Sequence, residues 1–223
     1  MSTPVRYDQQ YCPIARGLDV LGDRWTLLIA RELSAGPQRF SDLRRHLPGI
    51  AATVLSDRLK SMTDDGLVDV VPSDPPGPRS RYALGPLGRR ALPVLSSLMR
   101  FGMPLLEPPT DTTVVRPSLT IRGAITAYHD PLAAAGVDER YEIRVGGEAF
   151  TLDARASVVD DVDEPDLVVT ASARAWIDIR QRRAGFDDLV GSGVITIEGS
   201  HEALVHFRAI FRLGDEVTVG AVS

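Results

Sequence analysis

Residues that could carry chemistry are easy to find in this chain, and geometry disposes of most of them. His201 and His206, in the run HEALVH, have the look of zinc ligands, but they stand at i, i+5. On a helix that spacing turns the two rings about 140° apart, whereas chelation from one face needs i, i+4. Asp160, Asp161, Asp163, Glu164 and Asp166 carry charge enough for calcium, yet the run lacks the glycine and closing carboxylate of an EF-hand loop. It reads as a solvated loop. Gly191-Ser192-Gly193 precedes a strand, not a helix, so it is neither a phosphate cradle nor a nucleophile elbow. Spacing suggests no carboxylate pair and no Ser/His/Asp set. The expectation is a protein that is not an enzyme, with no cofactor and no metal.

What survives is a stretch suited to reading DNA. Pro48-Gly49 ends one segment and Gly66 another, so the residues between them read as one helix. Leu55, Leu59 and Met62 recur at i, i+4, i+7 and make its apolar stripe. The opposite face carries Ala52, Thr53, Ser56 and Lys60. Such short or basic side chains fit a major groove, hydrogen-bond base edges and do not repel phosphate. An ordinary amphipathic surface helix would have the same stripe, so the flanks decide. Residues 39–47 form a short helix, with Ser41 as its expected N-cap and Phe40, Leu43 and Leu47 inward. Pro48-Gly49 then joins the pair as a helix-turn-helix.

Strands over 67–71 and 81–84 follow, around a Pro/Gly tip ending in Arg79-Ser80-Arg81. That is a hairpin wing with charge where a nucleic-acid backbone would lie. The expected DNA-facing set is Arg39, Ser41, Ala52, Thr53, Ser56, Arg58, Lys60, Arg79 and Arg81. Thr53 and Ser56 fall at base edges; Arg58, Lys60, Arg79 and Arg81 hold phosphate or the minor groove. Arg58 is also placed to turn inward, against Asp57 or the wing.

The runs CPIAR at 12–16, GDRWTLLI at 22–29, GPQRFSDL at 36–43, LSDRL at 55–59 and LGPLG at 84–88 resemble, in order and spacing, the HxlR-type winged-helix transcriptional regulators. The resemblance covers about residues 11–107. It implies a homodimeric repressor or activator whose partner is double-stranded DNA with a pseudo-palindromic operator. It further implies that a helix over 86–106, rich in leucine, pairs with the partner subunit's copy together with the N-terminal helix of Ile14 and Leu18. Pro93 and Pro104 should kink that helix. Trp25, with Leu28, Ile29 and Leu33, reads as a core anchor. In some proteins of this type a cysteine at the place of Cys12 senses redox state or electrophiles. Cys12 is the only cysteine, which excludes an intrachain disulfide and suits a reducing compartment. Before Pro13, at a helix start, a thiolate is favoured by the helix dipole. A small buried side chain near the dimer interface is the bland alternative.

HxlR-type proteins are mostly little more than the winged helix, and this chain of 223 residues continues for over a hundred more. Charge divides accordingly. Residues 1–107 hold 14 Lys+Arg against 11 Asp+Glu, and the remainder 11 against 19. An acidic second half would repel phosphate, so it should face away from DNA and serve another partner. No stretch has the continuous apolar length of a membrane span, and the first residues lack a signal core, so a cytoplasmic protein without membrane contact is expected.

The expected domains are 1–107, a linker at 108–117 made stiff by proline, and 118–223. In the last, Leu119, Ile121, Ala124, Ile125 and Tyr128 suggest a helix. Residues 141–145 and 148–154 alternate around Gly146-Gly147 as a hairpin. A strand at 167–171, a helix capped by Ser172, a strand at 194–198 and a final helix complete the order. This order resembles the sterol carrier protein family, best over 167–213. The fold class is α+β, an N-terminal winged helix-turn-helix plus a C-terminal α/β sandwich-like domain. In the sterol carrier family, sheet and helices enclose a tunnel for sterols or acyl chains. Carried over, the lining falls among Phe150, Leu152, Trp176, Ile179, Phe186, Leu189, Val205 and Phe207, each of which is also a plain core candidate. The implied partner is an apolar small-molecule effector. Two other readings stay open: a lipid-binding or interaction protein whose winged helix does not bind DNA, and a regulator switched through Cys12.

Overall fold

The computed structural model describes residues 10–72, 80–107, 117–159 and 164–214. The wing tip with Arg79, the linker, and the acidic residues Asp160, Asp161 and Asp163 therefore lie outside the described residues. The chain divides into two compact units at Leu95/Ser96.

The first unit runs α1 (Pro13–Leu21), α2 (Thr26–Leu33), β1 (Gln38–Arg39), α3 (Phe40–His46), α4 (Ala52–Asp64), β2 (Val68–Val71), β3 (Arg81–Leu84) and α5 (Pro86–Arg90). Its small sheet has the order β1-β3-β2, antiparallel throughout, with Gln38 and Val70 both opposite Tyr82. Ile29 and Leu33, Leu43 and Leu47, and Leu55, Leu59 and Met62 bring α2, α3 and α4 into one buried core, closed below by Leu67, Val68 and Leu84. Gly49 makes the turn between α3 and α4 at φ +86°, a backbone state that glycine adopts without a steric penalty. Trp25 packs on the core only half-buried, beneath the Arg24 guanidinium 5.3 Å from its ring centre.

Two local features differ from what the residue types lead one to expect. Ser41 is not the N-cap of α3: the helix starts at Phe40, Arg39 holds the cap position, and no side chain caps it. The reason is that β1 leads straight into the helix, so the first turn begins where the strand ends. The segment 86–106 is not one helix either. It is α5, α6 (Leu92–Gly102) and a 3-10 turn, Met103–Leu105. Pro93 has no N–H to give Arg89 O, and Pro104 sits in the first turn of the 3-10 piece, so proline chemistry sets both interruptions.

The second unit takes in α6 from Ser96 onward. Arg100 Nη1 donates to Ala127 O at 3.1 Å, and Gln181 Nε2 donates to Met103 O and Leu106 O. Its other elements are α7 (Pro117–Thr126), β4 (Arg140–Val145), β5 (Glu148–Asp153), β6 (Val158–Val159), β7 (Leu167–Thr170), α8 (Ala173–Arg180), α9 (Phe186–Gly191), β8 (Thr196–Gly199) and α10 (His201–Ile210). The sheet order is β6-β5-β4-β7-β8; β4 and β7 are parallel and the other pairs antiparallel. Gly146 and Gly147, at φ +60° and +79°, make the two-residue turn that lets Val145 face Glu148.

Tyr141, Ile143 and Val145 of β4 and Leu152 of β5 are buried against Ile121, Ile125, Trp176, Phe186, Phe207 and Phe211 from the helices. Ser172 and Ser200 cap α8 and α10, accepting from the N–H of Ala175 and Ala203. β8 starts at Thr196, later than Val194, because the N–H groups of Val194 and Ile195 both turn back to Leu189 O. Among the described residues no helix is long and apolar enough to cross a membrane.

Candidate nucleic-acid interface

Leu55, Leu59 and Met62 point into the first core, and this fixes what α4 shows to solvent. Thr53, Ser56 and Lys60 are exposed and Ala52 is half-buried at the helix start. At about 100° per residue these four lie on one outward face. Two neighbours belong to the same exposed surface and were missed from sequence. Asp57 falls beside Thr53, so the face is not free of acid, and Val54 is 42% exposed at its edge. Plotting the helix at its own period would have found both. A carboxylate there can accept from cytosine N4, and an apolar side chain can meet a thymine methyl.

The cations are held in different ways. Arg39 and Ser41 are exposed at the start of α3, as are Arg44 and Arg45 further along, where Arg45 pairs with Asp42 at 2.8 Å. Arg81 is half-buried and its Nη2 donates to Pro37 O at 2.5 Å, which pins its guanidinium to the segment before β1. Arg58 does turn inward, but its partner is neither Asp57 nor the wing. Its Nη2 meets Asp23 Oδ2, in the turn between α1 and α2, at 2.5 Å.

Behind the helix pair, a fully buried carboxylate ties three elements together. Glu32 of α2 takes Arg31 Nη2 at 2.7 Å and lies 3.6 Å from His46 Nδ1 of α3. Its carbonyl accepts from Gln38 Nε2 of β1 at 2.6 Å, and Gln38 Oε1 faces His46 at 3.2 Å. A buried charge is tolerated only with such partners, so this knot orients α3.

Cys12 occupies the N-cap position of α1, half-buried, with no side-chain capping bond. In the second unit, seven of the eight expected lining residues join one core, five buried and Ile179 and Leu189 packed against it. Val205 does not: it is 48% exposed on the outer side of α10, where Leu204 takes the inward place. Trp176 lies 6.5 Å from both Phe186 and Phe207, ring centre to ring centre. His206 Nδ1 pairs with Glu139 Oε1 at 2.8 Å, and the described residues contain no group of three or more potential metal ligands.

The comparisons with known proteins bear on the N-terminal half of the chain. A family model described as HxlR-like helix-turn-helix matches residues 20–109. The HTH-type transcriptional regulator YvaP of Bacillus subtilis is 34% identical over 102 residues, which is 44% of this chain and 93% of YvaP. The chain belongs to the HxlR-like helix-turn-helix family. An HTH-type regulator of Synechocystis is 37% identical over 98 residues, 43% of this chain and 71% of its own. Among solved structures, the redox regulator HypR in its reduced form is 29% identical, covering 41% of this chain and 90% of that one, with TM-score 0.37. Reduced YodB from B. subtilis is 28% identical over 45% of this chain and all of that one, also at TM-score 0.37. This HxlR-like protein is thus a helix-turn-helix transcriptional regulator that binds DNA, and its relatives are regulators, not enzymes.

Proposed function

We propose that this HxlR-like regulator is a cytoplasmic homodimer that holds a pseudo-palindromic operator through α4 and answers an apolar small molecule carried in its second unit. The outward face of α4 carries the reading: Thr53 and Ser56 meet base edges, and Lys60, with Arg39 and Arg81, meets backbone phosphate. Arg79, at the wing, adds a phosphate or minor-groove contact by its place in the sequence. Dimerisation is supported by apolar side chains left in water. Ile14 and Leu18 on α1, Leu98 and Phe101 on α6, and Leu105 just beyond it are all about half exposed or more, with Ile14 at 74% and Phe101 at 72%. Rows of this kind on two helices mark a subunit interface.

The effector reading rests on the second unit's resemblance to the sterol carrier family and is supported by its mixed sheet and aromatic core. Phe150, Leu152, Trp176, Ile179, Phe186, Leu189 and Phe207 remain the contact set, without Val205. The test is binding of the full chain to sheared genomic DNA, with the retained fragments sequenced. A shared pseudo-palindromic sequence and a steep salt dependence are expected. Weak, salt-insensitive retention without a common sequence would overturn the reading.

A further inference from the structure

We propose that Asp23 and Arg58 form a pair that fixes the roll of α4 about its own axis, so that Arg58 serves DNA reading as a positioning residue and not as a phosphate contact. This rests on the reading of α4 as the DNA-facing helix. The apolar stripe of Leu55, Leu59 and Met62 holds α4 to the core, but apolar contact is non-directional and resists rolling only softly. Arg58 leaves the helix just beside that stripe, about 160° around from Ser56 and Lys60 at the helical period. Its hydrogen bond to Asp23 is directional and acts on the flank, where a tether opposes rotation.

Asp23 is itself fixed, which makes it an anchor. Its Oδ1 accepts the Trp25 N–H at 2.9 Å and its carbonyl accepts the Thr26 N–H at 3.1 Å. Both bonds lie at the start of α2, whose Ile29, Ala30 and Leu33 are buried in the core. The Arg58 side chain is laid back along the protein: its Nε is buried with no partner among the described residues, while Nη2 reaches Asp23. With side chains 29% and 31% exposed, the pair is shielded more than a surface ion pair. A roll of about 20° would move a side-chain tip on a helix of this radius by roughly 2 Å. That is enough to break a hydrogen bond to a base edge.

Asp23→Asn in the full chain decides between the two roles of Arg58. Removing an acid beside a DNA-binding helix, and freeing Arg58 for phosphate, should tighten DNA if Arg58 is a contact. If the pair positions α4, the same change weakens binding to fragments enriched by the wild-type chain, by about tenfold, and leaves binding to random DNA and the salt slope unchanged. Arg58→Met should do the same. Tighter binding by Asp23→Asn, which keeps an oxygen for the Trp25 N–H, or a slope lower by about one unit in Arg58→Met would each overturn the proposal. Should Arg58→Met fail to fold, judged by circular dichroism, Asp23→Asn still decides. A wild-type chain that binds no DNA would instead sink the reading of α4, before any variant is compared.

Discussion

The Arg180 guanidinium lies 4.4 Å from the centre of the Tyr128 ring, half-buried in the second unit, and among the described residues it has no carboxylate partner. It donates instead to Ala124 O in the last turn of α7 at 2.8 Å, and to Phe211 O and Arg212 O just past α10 at 2.9 and 3.2 Å. Two helix C-termini, each carrying partial negative charge, thus share one cation. Burial costs the charged form and brings the Arg180 pKa down to about 10. Arg180→Met should destabilise the second unit by roughly 2 kcal/mol, because three part-shielded carbonyls lose a charged donor. The check is denaturant unfolding followed by Trp176 fluorescence in a Trp25→Phe background, since these are the chain's two tryptophans.

Tyr141 gives the second unit a dependence on alkaline pH. Its ring is fully buried, and burial first, then its hydrogen bond to Glu139 Oε2 at 2.8 Å, raises the phenol pKa well above the ordinary 10.0. Above pH 10 the unfolded chain releases this proton while the folded one keeps it, so stability is lost as pH rises. Arg180 acts oppositely in that range, because the unfolded state holds its proton more tightly. Tyr141→Phe should therefore unfold less readily with rising pH than the wild type, between pH 10 and 12, and cost about 1 kcal/mol at neutral pH. Parallel urea midpoints across pH 8–12 would read this; identical slopes for both proteins would contradict it.

Much of this architecture was legible because local signals agreed. The hairpin of β4 and β5 came from alternation and Gly146-Gly147, and the α8 cap from Ser172 ahead of an apolar run. The helix-turn-helix came from the stripe at Leu55, Leu59 and Met62. What stayed hidden was non-local. Asp23 and Arg58 are 35 residues apart, and no periodicity announces that Arg58 leans towards that turn. Val205 has the right chemistry for a lining, yet α10 is rotated so that Leu204 and Phe207 face the sheet. Arg39 at the cap of α3 followed from a two-residue strand too short to read from residue types.

Assembly is tested by charge placed in the exposed apolar row. Ile14→Glu should convert a dimer at micromolar concentration into a monomer by light scattering, with helix content unchanged, because Ile14 is 74% exposed and supports no internal packing. A wild-type chain that is already monomeric there would refute the dimer.

The effector is tested on the full chain carrying Trp25→Phe. Lipid extracted from the purified protein should include an acyl or sterol-like species by mass spectrometry, and adding it back should change Trp176 fluorescence and DNA affinity together. A change in fluorescence with DNA affinity unmoved would leave the second unit a carrier and not a sensor.

Lys60 reports directly on whether α4 lies on DNA. It is the chain's only lysine and is exposed in the middle of that helix, so an amine-acylating reagent reads one side chain besides the chain's amino terminus. Acylation followed by peptide mass spectrometry is run with and without saturating amounts of the enriched genomic fragments. DNA should protect Lys60 by at least fivefold while the amino terminus reacts as before. Equal acylation of Lys60 in free and DNA-saturated protein would contradict it.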